Sequence, residues 1–194
     1  MPTLNKPKAV NNWITTKSGG RFDFANPTQA MLNIRDIAGA LSKICRFGGH
    51  GRHFYSVAEH CINVAHCTYA LKGDPLAGLL HDAQEAYVGD MVTPLKGLLP
   101  GYQAIEDKII ELIRIKWMVD IHAPAVRHSD GVMLWEEAHI LVLGVRKWTK
   151  YKERPRLPYG FKPLGKIPMH SQLAERKFLE EFKWASMISK KNNY

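Results

Sequence analysis

Cysteine is scarce in these 194 residues: Cys45, Cys61 and Cys67 are the whole complement. An odd count without C-x-x-C pairing argues against a disulfide framework and a zinc finger alike, and it fits a reducing cytoplasm. Long apolar runs are missing too. Nowhere do about 18 consecutive apolar residues occur, and none follow the early Lys6 and Lys8, so neither a membrane span nor a signal peptide is expected. Strand patterning is nearly absent. Its one trace is Trp13–Thr16 with Arg21–Phe24 around Ser18-Gly19-Gly20, which predicts a small hairpin. Acidic residues are the minority, 18 against 27 Lys and Arg, and the net charge of +9 implies anionic company.

What is present is helical periodicity on a chain that is 45% apolar, enough for one core and one domain over residues 1–194. Ile34, Ile37, Ala38, Leu41 and Ile44 place a helix over about 33–45, with Asn33 as N-cap and Asp36 in the first turn. A glycine-rich loop, Arg46-Phe47-Gly48-Gly49-His50-Gly51, follows it. Val57, Cys61, Val64 and Ala65 mark a second helix over about 55–71, with His60 turned inward and Gly73 placed to end it. Asp74-Pro75 reads as N-cap and first helical residue of a third helix running to Gly89. A short helical turn around Lys96 leads to a fourth helix after Pro100-Gly101. A fifth spans about 125–147 and a last one about 170–187, after a basic loop that starts near 146. The pattern is that of an all-α bundle with a small N-terminal hairpin.

Within the third helix, His81 and Asp82 interrupt the apolar run Leu79-Leu80-His81-Asp82-Ala83. Burying an imidazole and a carboxylate is costly unless something compensates, and a bound cation is the commonest compensation for such a pair. His60 upstream and Asp130 downstream complete a set of two imidazoles and two carboxylates. Those donors suit a divalent transition metal such as Zn, Mn, Co, Fe or Ni better than an all-oxygen Mg or Ca cage. Glu85 lies four residues past His81 and three past Asp82, on the same helix face, as a general acid or base or a ligand of a second ion. Asp90 could share that task, and Lys96 and Arg127 offer positive charge for phosphates.

The set Arg46-Phe47, Ser56-Val57-Ala58-Glu59-His60, His81-Asp82-x-x-Glu85, Asp90-x-x-Thr93-Pro94-x-Lys96 and Asp130 resembles the HD-domain metal-dependent phosphohydrolases over residues 33 to about 145. That family includes bacterial deoxyribonucleoside 5′-monophosphatases and phage dATP triphosphohydrolases. The resemblance implies an HD-domain helical bundle in which His60, His81, Asp82 and Asp130 hold the metal. It implies that Glu85 and Asp90 serve chemistry or a second divalent ion, and that Arg46 and Phe47 meet phosphate and sugar or base. The chain departs from the family's Arg-Trp pair by having Phe47, followed by two glycines. Implied too are a deoxynucleotide substrate, a homo-oligomer, and the cytoplasm, the host's if the chain is phage-encoded. The expected reaction is dNTP hydrolysis of dATP type, releasing deoxynucleoside and triphosphate; the alternative is a 5′-monophosphatase.

A rival from another class is a nucleic-acid-binding protein with a structural metal, motivated by eight Lys or Arg between Arg146 and Lys166 interleaved with Trp148, Tyr151, Tyr159 and Phe161. The plainer expectation for that stretch is solvated surface, with no nucleic-acid and no membrane partner. Of the remaining histidines, His50 and His53 are expected nearest substrate and His66, His122, His128 and His139 away from it. Glu136 and Glu137 are expected to pair with cationic side chains.

Overall fold

The computed structural model describes residues 11–144, 155–163 and 168–192. Strands β1 (Trp13–Thr15) and β2 (Arg21–Asp23) form the antiparallel hairpin, with Ile14 opposite Phe22. Phe22 is fully buried and stacks on Tyr87 at 4.0 Å, which anchors the hairpin to the helices. Its turn is held by Asp36, whose carboxylate accepts from the Ser18 amide and hydroxyl at 2.6 and 2.8 Å. Asp36 therefore serves the hairpin as well as its own helix.

The helices are α1 (Ile34–Leu41), α2 (Val57–Ala70), α3 (Pro75–Leu80), α4 (Glu85–Val88), α5 (Thr93–Lys96), α6 (Pro100–Trp117), α7 (Pro124–Leu141) and α8 (Ser171–Asn192). The described residues are thus all-α apart from the hairpin. Asn33 caps α1 by accepting from the Arg35 amide, and Asp74 caps α3 by accepting from Leu76, ahead of Pro75. The first helix stops at Leu41, short of the expected 45, because Ser42 and Lys43 both spend their side chains on the Gly39 carbonyl.

Helix α2 is the axis of the bundle. It is buried over most of its length, the polar Glu59, His60 and Asn63 included, and packs on α3, α7 and α8. Close approach of α3 depends on Gly78: a Cβ there would lie 2.8 Å from Thr68 Oγ1 and 3.0 Å from the Ala65 Cα. At the end of α2 the left-handed residue is Lys72 (φ 61°), whereas Gly73 serves packing, since its Cβ would meet Ala125 Cβ at 2.7 Å. One buried cluster joins Phe22, α1, α2, α3, Tyr87, Ile109 and Ile113 of α6, and Phe178 of α8.

Three more expected helices differ in extent, the last of them running on to Asn192 beyond the expected 187. The third, read as continuous to Gly89, breaks into α3 and α4 across residues 81–84. His81 Nδ1 donates to the Gly78 carbonyl at 2.8 Å, the acceptor that the Asp82 amide would take in an unbroken α-helix. The chain winds tighter there, with Ala83 N–H donating to Leu80 O and Glu85 N–H to Asp82 O. Helix α7 ends at Leu141 and not near 147: Arg52 donates its backbone N–H to the Leu141 carbonyl and its guanidinium to that of Ile140. Residues 145–147 lie outside the described residues.

Candidate metal centre

The break at residues 81–84 gives the site its shape. His60 on α2, His81 and Asp82 in the turn after α3, and Asp130 on α7 come together from three parts of the bundle. His60 Nε2 lies 3.3 Å from His81 Nε2, 3.2 Å from Asp130 Oδ1 and 3.7 Å from Asp82 Oδ2. His81 Nε2 lies 3.2 Å from Asp82 Oδ2 and 3.9 Å from Asp130 Oδ1. His60, His81 and Asp82 form the tightest group, their ligating atoms all within 4.8 Å of one another, and Asp130 reaches both imidazoles from the other side.

The outer nitrogens decide what faces the centre. His60 Nδ1 lies 2.9 and 3.0 Å from the two oxygens of Glu137, and His81 Nδ1 lies 2.8 Å from the Gly78 carbonyl. Neither partner can donate, so both Nδ1 atoms carry protons. With Nδ1 so engaged, each ring presents Nε2 to the centre, where two carboxylate oxygens also arrive. His60, His81 and Asp82 could hold a shared cation there, with Asp130 beside them. Bonds of about 2.1 Å in tetrahedral geometry would set donors about 3.4 Å apart, and the separations among His60, His81 and Asp82, 3.2–3.7 Å, bracket that value. The donor set fits a borderline divalent metal.

The surrounding charges reinforce the arrangement. Burial and Arg46 push His60 down, but Glu137 and Asp130 prevail and raise it above the ordinary histidine value. Burial opposes protonation of His81 as well, and Asp82 raises it well above that value regardless. Burial would lift Asp82, yet His81, His60 and Arg46 hold its carboxyl far below the usual range. Asp130 is lowered against burial by His60 and His81. Glu85 moves the other way: burial first, then Asp82 and Asp90, drive its carboxyl well above the usual value. Its Oε2 is buried without a hydrogen-bond partner. Asp90, half-buried in the loop after α4, is raised chiefly by burial.

Arg46 enters from the loop after α1. The loop is pinned at its neck, where Arg46 N–H donates to Tyr55 O and Val57 N–H to Ile44 O. Arg46 is buried, with Nε 3.0 Å from Glu137 Oε2 and Nη1 3.7 Å from Asp82 Oδ2. The Nε–H points off the line to Glu137, so the contact is an ion pair and not a hydrogen bond. Phe47 beside it has φ 58°, a left-handed conformation that costs a non-glycine residue roughly 1–2 kcal/mol. Its ring lies 5.5 Å from the guanidinium.

A cavity of about 240 Å³ opens beside the centre, lined by His81, Asp82, Asp130, Lys96, Arg127 and Gln84 among others, with Ile110, Ile121 and Val126 as its apolar wall. Lys96 and Arg127 are thus placed as the sequence suggests, but Lys96 donates to Glu106 Oε1 at 2.7 Å. Phe47 and Glu85 do not line this cavity, nor do the exposed His50 and His53. His122, expected to lie away from the substrate, does. Sequence reasoning missed Gln84, Glu106 and the second role of Glu137, which pairs with Arg46 as expected and also orients His60. The available signal was spacing: Glu137 stands seven residues, two turns, past Asp130.

Of the basic stretch 146–166, residues 146–154 and 164–166 lie outside the described residues. Leu157 and Phe161 pack on Val64, Cys67, Val132 and Met133, so Phe161 is committed to the protein. No helix among the described residues is long and apolar enough to cross a membrane.

No protein-family model matches the chain. It is 34% identical over 123 residues to an uncharacterized protein of Rhodobacter capsulatus, which spans 58% of this chain and 62% of that one. It is 40% identical over 134 residues to the uncharacterized protein YfdR of Escherichia coli K12. That match covers 68% of this chain and 74% of YfdR, and on that footing the chain belongs to the same family as YfdR.

Proposed function

We propose that the chain is a metal-dependent phosphohydrolase of the HD-domain type acting on a deoxynucleotide. One observation carries the reading: two imidazole Nε2 atoms and an Asp82 oxygen cluster at the edge of a cavity, with Asp130 within reach of both imidazoles. Held by His60, His81, Asp82 and Asp130, a divalent ion would supply a polarised phosphoryl group and an acidified water. The chain's own groups supply the rest. Arg46, fixed by Glu137 and Asp82, holds positive charge beside the centre, and Arg127 adds a second cation at the rim. Glu85, its carboxyl raised well above the usual range by burial and its acidic neighbours, stands outside the cavity lining, and a proton from its unpartnered Oε2 would reach the leaving oxygen through a relay. Asp90 stands ready to relay it. The apolar wall of Ile110, Ile121 and Val126 would take the nucleoside part.

The cavity favours the monophosphate over the triphosphate. Its volume falls below the roughly 300–1,000 Å³ of pockets that enclose drug-sized ligands. Its formal charge is low as well: Lys96 and Arg127 against Asp82, Asp130 and Glu106 leave −1, which a divalent ion turns to +1. That complements a phosphomonoester of about −1.5 to −2 better than a longer phosphate chain.

The test is a panel of deoxynucleoside mono- and triphosphates incubated with protein loaded in turn with Zn, Mn, Co, Fe and Ni, with products separated. Orthophosphate and deoxynucleoside from the monophosphates are expected. Triphosphate released intact from a dNTP would assign the other reading, and no turnover with any metal would overturn both.

A further inference from the structure

The pair Lys96–Glu106 raises a question that the hydrolase reading does not answer. Lys96 sits on α5 and Glu106 on α6, with Nζ 2.7 Å from Oε1, and both line the cavity next to the metal centre. Glu106 is a carboxylate only 3% exposed, in a wall that a phosphorylated ligand must face. Lys96 supplies the partner that a buried carboxylate needs, yet the carboxylate still faces the phosphate site and is unfavourable to a further anion there. The same turn is tied down a second way: Tyr102 OH donates to the Gly89 carbonyl at 3.1 Å, and its ring lies 5.7 Å from Lys96 Nζ. The lysine is thereby kept against α6 and its charge largely spent.

We infer that Glu106 is a specificity-determining residue that limits the number of phosphates the cavity accepts. The inference rests on the reading of this cavity as the substrate site. Each further phosphoryl group on a chain brings another negative charge. Paired at 2.7 Å with the protein's own carboxylate, Lys96 has little charge left for a β- or γ-phosphate. The Glu106 oxygens also repel any phosphate that extends past the α-position towards α5 and α6. A monoester, whose phosphate ends at the metal centre and whose nucleoside turns to Ile110, Ile121 and Val126, escapes that repulsion. Like charges juxtaposed across an interface suppress binding of the wrong partner.

Glu106→Gln tests this, because the amide keeps the shape and a carbonyl acceptor for Lys96 while removing the charge. Two readouts apply: the ratio of kcat/KM for a dNTP to that for the matching dNMP, and the ratio of tripolyphosphate to orthophosphate affinity of metal-free protein by calorimetry. Both ratios are expected to rise at least about tenfold. Glu106→Asp, which keeps the charge, is expected to leave both near the wild-type values and serves if the amide variant fails to fold. A loss of thermal stability with both ratios unchanged would reduce the pair to a clamp between α5 and α6 and overturn the inference. Absence of turnover in wild type and variants alike would be a failure of the hydrolase reading. The polyphosphate affinity ratio would then decide the role of Glu106 by itself.

Discussion

Glu137 accepts the Nδ1 proton of His60 across both carboxylate oxygens, at 2.9 and 3.0 Å. The same carboxylate accepts from Tyr55 OH at 3.0 Å and pairs with Arg46. It fixes the tautomer that points His60 Nε2 inward and makes that nitrogen a better donor. Carboxylates in this relation to a metal-bound histidine typically carry 10–100-fold in metal affinity. Glu137→Gln is therefore expected to weaken binding of the preferred divalent ion by about that factor, measured by competition with a calibrated chelator. Unchanged affinity would mean that the carboxylate serves Arg46 alone.

Asp82 lies within 3.7 Å of both imidazoles and of Arg46. Asp82→Asn keeps the volume but removes the anion. Metal content after dialysis, measured by mass spectrometry, is expected to fall from near one ion per chain to a small fraction, with turnover lost in parallel. Full metal occupancy and wild-type turnover in this variant would refute the assignment of the centre.

The four donors were legible because each is a polar residue on an apolar helical stripe, a local conflict that sequence displays directly. The capped starts at Asn33 and Asp74-Pro75 were legible for a similar reason, since a cap is made by residues adjacent in the chain. What was hidden depends on partners far away. The end of α7 is set by Arg52, and the orientation of His60 by Glu137. The break at 81–84 turns on the His81 Nδ1 bond to Gly78, which only a buried, oriented imidazole would make. Lys96 reads as a free phosphate ligand until Glu106 is seen beside it.

Glu85 separates ligand from proton carrier. It stands outside the tightest donor group, with Oε2 buried and unpartnered and its carboxyl raised well above the usual range. Glu85→Gln is expected to leave metal content near that of wild type while lowering kcat by about 10²–10⁴, the usual contribution of a positioned general acid or base. An equal loss of metal would make it a ligand.

Two glycines test whether the α2–α3 contact sets the geometry of the centre. Gly78 lies three residues before His81 and supplies the carbonyl that orients it; a methyl group there would press on Thr68 Oγ1 and the Ala65 backbone. Overpacking of this kind costs roughly 1–3 kcal/mol, and at this chain length each kcal/mol moves Tm by about 2–4 °C. Gly78→Ala is therefore expected to lower Tm by roughly 2–12 °C and to weaken metal binding, because α3 can make room only by carrying His81 away from His60. Gly131 is the matched control. It is exposed within α7, beside Asp130, and a Cβ there meets nothing within 4 Å. Gly131→Ala is expected to stabilise by about 0.5–1 kcal/mol through reduced chain entropy, with metal affinity unchanged. Scanning calorimetry and metal titration on the pair check both halves. If Gly78→Ala lost stability but bound metal like wild type, the close approach of α3 would serve packing only and the centre would owe its geometry to the turn itself.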